Sequence, residues 1–276
     1  MSIVALASVK GSPGVTTTAL ALALWWPRPL VVMEADPAGG DLGARLGLPE
    51  EPGLVGLAAS LRRDSRGGTP DGASIERYVQ TASEGISLVT APAGSRQATA
   101  AVGLLSGLAT LSLPDGADLL LDLGRLVDTG RRDQALLTGS LVDAADLLVW
   151  VSRPQLADLA HLAAAVERRQ DSHPEPVVVL TGGGPYPADE VATALAVTVL
   201  GNLPADPSGA AALWAGGGRT WAHSALGRAT RDLAAALAEL SDEAGEGEPV
   251  GSGDAAPAEI NHEGERGEAA STGDRR

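Results

Sequence analysis

The fold of this chain is decided near its N-terminus by the sequence IVALASVKGSPGVTTTALALA, residues 3–23. Its first six residues are an aliphatic run that predicts a buried β-strand, and the run from Ala19 onwards is typical of a helix. Between them, Gly11 and Gly14 suit a backbone that turns sharply and approaches a ligand closely. A strand, a glycine-containing turn and a helix N-terminus together present backbone N–H groups to an anion. We therefore predict a phosphate-binding loop over Val9–Thr18.

Outside this stretch, short aliphatic runs alternate with longer helical patterns, as in βαβ units. The predicted strands are Ile3–Ser8, Leu30–Met33, Ile86–Thr90, Leu119–Asp122, Leu147–Val151, Val177–Leu180 and Val197–Leu200. The predicted helices are about Thr16–Trp26, Thr99–Leu111, Gly130–Ala144, Pro154–Arg169, Asp189–Ala196 and Ser224–Leu240. Nearly continuous aliphatic strands indicate a parallel sheet covered on both faces. We expect an α/β fold with a mostly parallel twisted sheet flanked by helices.

Composition separates a folded domain from an acidic tail. The chain has 276 residues and a net charge of −15. After Leu240 the sequence becomes rich in Gly, Glu, Asp, Pro and Ser, and the last 35 residues hold ten acids and three arginines. Such a segment buries too little apolar surface to offset the entropy of ordering it. We expect one domain over residues 1–241 and a disordered acidic tail over residues 242–276.

Several classes of protein are disfavoured by what the sequence lacks. Without cysteine there are no disulfides, thiolate metal sites or cysteine nucleophiles. The apolar segment Met1–Ser8 has no basic region before it, and no apolar run approaches the roughly 20 residues of a membrane span. We therefore expect a cytoplasmic protein. Separately, the Arg-, Gly- and Asp-rich composition of Arg62–Ala73 predicts an exposed loop there.

The phosphate loop resembles the deviant Walker A motif of the MinD/ParA family of P-loop ATPases, in which a signature lysine precedes the first glycine. Lys10 stands at that place and is the only lysine in the chain. In the family this lysine reaches across a nucleotide-sandwich dimer to the partner's phosphates. The loop departs from the pattern at Val15, where a second lysine is usual, and at Pro13, which has no N–H. The change at Val15 most resembles the CpaE-type pilus-assembly proteins.

Further segments carry the same resemblance over roughly residues 1–240. The segment Glu34–Gly43 resembles switch I, and Leu119–Gly124 resembles Walker B with switch II. After Asp122, however, the chain has Leu123-Gly124-Arg125 where the family usually has Pro-Ala-Gly or a similar sequence. Ala145–Pro154 and Val199–Pro207 resemble later strands and the loop over the base. Where the family commonly has an asparagine at the base, this chain has Thr181-Gly182-Gly183-Gly184.

The resemblance implies a site for ATP and Mg²⁺. Lys10 would be the trans lysine and Asp36 would position or activate the attacking water, with support from Glu34. The implied nucleotide-binding residues are Gly11, Ser12, Pro13, Gly14, Val15, Thr16 and Thr17. The implied metal-binding residues are Thr16, Asp36 and Asp122. Arg125 is a candidate for the positive charge that is missing at Val15.

Two functions from different classes follow. One is an ATP-binding dimeric switch that positions a chromosome, plasmid, septum or pilus/secretion machine, with weak or partner-dependent hydrolysis. The other is a pseudo-ATPase scaffold or adaptor, which Val15, Pro13 and the altered switch II favour. A biosynthetic amidoligase-type P-loop enzyme is a third interpretation, and we expect it to need an additional domain.

The expected partners are a second copy of the chain and a protein of the positioned machine. Nonspecific DNA binding through arginine clusters has weak support in so acidic a chain, and the C-terminal segment has no apolar face for a membrane-targeting helix.

Overall fold

The computed structural model of the protein describes residues 1–11, 13–64, 74–105, 111–114, 116–126, 132–169 and 174–246. In these ranges the chain forms an eight-stranded sheet with strand order β3-β4-β2-β5-β1-β6-β7-β8. The strands are β1 Ile3–Ser8, β2 Leu30–Glu34, β3 Gln80–Thr81, β4 Ser87–Val89, β5 Asp118–Arg125, β6 Leu147–Ser152, β7 Pro176–Thr181 and β8 Thr198–Leu203. Neighbouring strands are parallel except for β3 and β4, which are antiparallel. The predicted mostly parallel sheet is confirmed.

Helices flank the sheet on both sides. They are α1 Val15–Ala23, α2 Leu42–Leu46, α3 Leu54–Asp64, α4 Ser95–Val102, α5 Arg132–Asp143, α6 Leu156–Glu167, α7 Ala188–Leu195, α8 Pro207–Trp214, α9 Gly218–Ala222 and α10 Ala225–Glu246. Short 3₁₀ turns lie at Ile75–Tyr78 and Ser83–Gly85. Among the helices described, none is both long and apolar enough to cross a lipid bilayer.

Three sequence expectations about element boundaries need correction. The helix predicted at Thr99–Leu111 instead occupies Ser95–Val102, because it starts directly after Gly94 and stops at Gly103. Part of the loop predicted at Arg62–Ala73 is helical, since α3 continues to Asp64; residues 65–73 lie outside the described ranges. The last helix does not end at Leu240 but continues to Glu246.

The boundary predicted between residues 241 and 242 therefore falls inside α10, whose final residues include helix formers such as Ala244 and Glu243. The remainder of the predicted tail, residues 247–276, lies outside the described ranges.

The core consists of two apolar layers, one on each face of the sheet. Along β1 the side chains alternate between them: Val4 and Leu6 belong to the layer beneath α1 and α10, whereas Ala5 and Ala7 belong to the layer beneath α3 and α6. This alternation follows from the two-residue repeat of a β-strand. Burial on both faces explains why the strands are aliphatic throughout rather than alternating with polar residues.

The buried carboxylate of Asp118, the first residue of β5, links the segments that surround it through hydrogen bonds. Asp118, 2% exposed, accepts hydrogen bonds from the backbone N–H of Ser2 at 3.0 Å and from Trp26 Nε1 at 2.8 Å. The guanidinium of Arg28 also donates to it through Nε at 2.9 Å and Nη2 at 2.7 Å. Arg28 Nη1 in turn donates to Asp242 of α10 at 2.7 Å. The cluster therefore ties β1, β5 and the last helix together at the edge opposite the phosphate loop.

We expect Asp118→Ala to lower the free energy of unfolding by about 2–4 kcal/mol, because it leaves buried donors and a half-buried cation without their acceptor. Asp143→Ala is the matched control, since it removes an exposed ion pair with Arg169 at 3.4 Å and should cost less than about 1 kcal/mol. Urea denaturation of both variants measures the difference. Equal destabilisation by the two substitutions would contradict this account.

Candidate functional site

The loop between β1 and α1 has the geometry expected for anion binding. The chain leaves β1 at Ser8, passes Gly11 with φ 71° and reaches Gly14 with φ 97°, directly before the first residue of α1. Both values lie in the left-handed region that glycine adopts without strain. The first N–H groups of α1 have no partner within the helix, and its first turn contains no acidic residue. Ser12 lies outside the described residues.

A cavity of about 330 Å³ opens in front of this loop. It brings the start of α1 together with side chains from β5, α2, α8 and the segment after β2. Its lining residues are Ser8, Gly11, Pro13, Gly14, Val15, Thr16, Thr17, Asp36, Asp41, Arg45, Gly124, Arg125 and Trp214. The cavity thus combines a helix N-terminus with two acids and two arginines from distant parts of the chain. Lys10, which precedes Gly11, is exposed.

Asp122 lies at the base of the site, in β5 beside Glu34 of β2. Asp122 is 1% exposed and its Oδ1 accepts a hydrogen bond from the N–H of Gly124 at 3.0 Å. Burial raises the pKa of Asp122 to about 7, although the nearby Thr16 hydroxyl and the Gly124 N–H act to lower it, and the charges of Glu34 and Asp36 raise it further. Two of the three predicted metal-binding residues, Thr16 and Asp122, therefore lie close together.

Asp36 is positioned by the turn that follows β2. The N–H of Ala38 donates to Asp36 Oδ1 at 2.7 Å, while burial raises the pKa of Asp36 above its usual range. Asp36 Oδ2 lies against Gly124, where an added Cβ would be only 1.9 Å away. Gly124 also has φ 57°, so both its conformation and its lack of a side chain are required. The glycine after the Walker B-like acid makes room for Asp36.

Glu34 holds the loop between β2 and α2. Its Oε1 accepts from the N–H groups of Asp41 and Leu42, both at 2.7 Å, and its Oε2 accepts from the N–H of Ala91 at 2.9 Å. It is 2% exposed, and burial raises its pKa. The resemblance implies support of the metal by Glu34, but the contacts it makes here fix the loop that carries Asp36. A backbone role of this kind has no signature in the sequence.

Val15 borders the cavity but supplies no charge to it. The residue is 6% exposed and packs in the apolar layer beneath α1 and α10. The usual lysine charge therefore has no substitute at this position, and the arginines of the cavity come from elsewhere.

Thr181, which stands in the segment that replaces the expected asparagine, has a role that sequence reasoning missed. Its hydroxyl donates to the carbonyl of Pro13 at 2.9 Å and so ties the phosphate loop to the end of β7. A second cavity, of about 450 Å³, lies beside it. This cavity is lined by residues of the phosphate loop, among them Thr17, by Gly182 and Gly183, and by the segment from Leu203 to Pro207.

The donor set fits a magnesium ion that is held jointly with phosphates. Within the described ranges, no group of three or more His, Cys, Asp or Glu side chains is arranged to hold a metal ion by itself. Magnesium usually binds one or two carboxylates, keeps several waters and takes further oxygens from a phosphate ligand. The Thr16 hydroxyl and the carboxylates of Asp122 and Asp36 match that requirement.

Comparison with solved structures identifies the fold. No family model matches this sequence, and no curated protein is similar enough to be matched. The cell division ATPase MinD of Pyrococcus furiosus superposes with a TM-score of 0.69 at 17% identity, over 87% of this chain and 99% of that one. A ParA family ATPase from Chlorobium tepidum TLS gives 0.65 at 17% identity, over 86% and 98%. Cobyrinic acid a,c-diamide synthase from Mycobacterium smegmatis, with bound ATP analogue and magnesium, gives 0.54 at 19% identity, over 86% and 94%.

The fold and the loop define a P-loop α/β architecture. More particularly, the chain has the fold of the MinD- and ParA-type ATPases, as the sequence resemblance predicted. The diamide synthase structure is covered over 94% of its length, so the same fold occurs in a protein named for a synthase as well as in proteins named ATPases. The fold alone therefore does not decide the reaction.

The raised pKa of Asp122 predicts a pH-dependent stability in the absence of metal. Because the folded protein holds this proton up to about pH 7 while an ordinary Asp loses it near 3.8, the stability contribution falls as pH rises between those values. We expect Asp122→Asn to be more stable than the wild type at pH 8 in EDTA, by roughly 4 kcal/mol as an upper bound, and no more stable at pH 4.

Asp206→Asn serves as the control of opposite sign, because hydrogen bonds from Gly209, Leu226 and Ser208 lower the pKa of Asp206 to about 2. That substitution should destabilise at pH 8. Chemical denaturation across pH 4–8 measures both variants. An Asp122→Asn effect that does not change with pH would refute the assignment of the proton to this buried cluster.

The contact between Gly124 and Asp36 predicts the effect of a single methyl group. Gly124→Ala should displace the Asp36 carboxylate or the strand end and destabilise the fold by about 1–3 kcal/mol. Gly139→Ala in α5 is the matched control: nothing lies within 4 Å of its Cβ position, and it should stabilise by about 0.5–1 kcal/mol. Thermal unfolding of the two variants tests the difference. A Gly124→Ala variant as stable as the wild type would contradict the close contact between Gly124 and Asp36.

Proposed function

We propose that the chain binds Mg²⁺-ATP in the cavity at the phosphate loop and works as a dimeric nucleotide switch in intracellular positioning, with weak or partner-dependent hydrolysis. The observation that carries the proposal is that Thr16, at the start of α1, lines the cavity beside the glycine-containing loop and lies close to the buried carboxylate of Asp122. A hydroxyl at a helix start and a carboxylate of a neighbouring strand are protein groups that commonly hold a phosphate-bound magnesium ion. The fold shared with MinD and ParA ATPases supports the positional role by analogy.

The two cavities fit the two ends of a nucleotide. The phosphates would lie in the cavity at the start of α1, where N–H groups and the helix dipole favour negative charge. The base would occupy the neighbouring cavity beside Gly182, Gly183 and Pro204–Pro207. Both cavities share Pro13, Gly14 and Thr17, so one ligand could span them.

The protein groups have separable roles in this proposal. Thr16 and Asp122 hold the metal ion, which when bound neutralises charge on the phosphates. Asp36 orients a water molecule in front of the terminal phosphate, at a position fixed by Gly124 and the N–H of Ala38. Lys10, exposed beside the loop, is free to approach the phosphates of a second copy of the chain.

The alternative is a scaffold that keeps the fold without catalysis. It is favoured by the burial of Val15 in the core, which leaves the loop without its usual charge, and by Pro13, which removes an N–H. Retention of the Thr16–Asp122 pair favours binding, since a buried carboxylate of raised pKa is costly to keep without a ligand that uses it.

Titration calorimetry with Mg²⁺-ATP, together with light scattering for mass, tests the proposal. We expect the wild type to bind, Thr16→Ala to weaken binding at least tenfold, and Thr193→Ala to leave it unchanged. Thr193 is the control because its hydroxyl donates only to the exposed carbonyl of Asp189. Lys10→Ala should abolish nucleotide-dependent dimerisation, whereas Arg63→Ala, which removes an exposed charge from α3, should not.

Absence of wild-type binding at millimolar Mg²⁺-ATP would reject the switch and leave the scaffold. Binding without any change in mass would reject the dimeric mechanism while retaining the nucleotide site.

A further inference from the structure

We propose that Arg45, held in place by Trp214, is the phosphate-binding cation that replaces the lysine missing at position 15. This inference rests on the proposed nucleotide site and deepens it. Arg45 lies in α2 and Trp214 at the end of α8, more than 150 residues apart in the chain, and both line the cavity in front of the phosphate loop.

The charge balance of the cavity requires a cation. Its lining includes Asp36 and Asp41, and the buried Asp122 accepts a hydrogen bond from the N–H of Gly124, which also lines it. A polyphosphate would add further negative charge to this set, and one magnesium ion would not neutralise all of it. Val15 is apolar and buried, and Lys10 is exposed and does not line the cavity. Arg45 and Arg125 are the cations that line the cavity.

Of these two arginines, Arg45 is the one that an aromatic side chain holds in place. Its Cζ lies 4.5 Å from the centroid of the Trp214 ring, within the range of a cation–π interaction. A cation–π contact holds the guanidinium but uses none of its N–H groups as hydrogen-bond donors, so these can donate to phosphate oxygens. The side chain is 51% exposed, so a ligand entering the cavity can reach it.

Asp41 holds Arg45 until a ligand replaces it. Arg45 Nη2 lies 3.6 Å from Asp41 Oδ2, one turn earlier on the same segment. Both groups are more than half exposed, so this ion pair is weak and a phosphate can displace the carboxylate without a large cost. The Asp41 carboxylate competes with the phosphates for Arg45 and also repels the phosphates. Removing the charge of Asp41 should therefore favour nucleotide binding.

Calorimetric titration with Mg²⁺-ATP and Mg²⁺-ADP tests the role of Arg45. We expect Arg45→Ala to lower the affinity for both nucleotides about tenfold or more. Arg45→Lys should recover part of the affinity, because it keeps the charge but not the planar guanidinium with its paired donors. Arg231→Ala is the matched control. It removes the stacked arginine of a second pair, in which Arg231 lies 5.6 Å from the Trp25 ring in a different part of the molecule; affinity should change less than twofold.

Two further variants separate a phosphate contact from a structural effect. Asp41→Asn should tighten binding about threefold, opposite in sign to Arg45→Ala, which a loss of folding cannot produce. Trp214→Leu should weaken binding about threefold to fivefold and reduce the effect of adding Arg45→Ala, because Trp214 acts through Arg45.

The outcomes distinguish the two proposals. If the wild type binds Mg²⁺-ATP and Arg45→Ala binds as tightly as Arg231→Ala, the assignment of Arg45 is wrong and the nucleotide site stands. If the wild type binds neither nucleotide, both are overturned. Tighter binding by Asp41→Asn with weaker binding by Arg45→Ala supports the assignment.

Discussion

The site depends on the parallel pairing of β1 with β5 and of β5 with β2. Parallel strands end at the same edge of a sheet, so the phosphate loop after β1, the acid near the end of β5 and the turn after β2 all converge there. The register sets Glu34, Asp122 and Leu6 side by side across three strands. Neither Thr16 nor Asp36 could meet Asp122 without that register, because they belong to segments far apart in the chain.

The convergence concentrates negative charge in a largely buried place. Burial raises the pKa values of Glu34, Asp36 and Asp122, and each carboxylate is held by backbone N–H groups or by Thr16 rather than by a lysine. Such an arrangement is costly in the absence of a ligand, and a cation shared with phosphates relieves it. In the proposed nucleotide site, Arg45 and Arg125 supply the positive charge that Val15 does not.

The motifs near the site were accessible from the sequence because each has a local physical signature. Gly11 and Gly14 mark a turn between a strand and a helix, and Asp122 follows an aliphatic run that had to be a buried strand. The roles of Glu34 and Thr181 were not accessible, because a carboxylate or hydroxyl that binds a remote backbone group has no pattern of its own. Two helix ends were misplaced in opposite directions: α4 stops before Gly103 although apolar residues follow it, whereas α10 continues past the change in composition at Leu240 to Glu246.

The sequence by itself determined the α/β class, the positions of most strands along the chain and the place of the phosphate loop, since these follow from hydrophobic periodicity and from glycine's access to positive φ. Tertiary structure alone decided which distant side chains share the cavity. Arg45 and Trp214 meet there only because α2 and α8 pack at the same edge of the sheet, and Val15 turns into the core only because α1 presents that side to the apolar layer. Contacts of this kind depend on how elements pack, and packing is a property of the assembled sheet and helices rather than of any one segment.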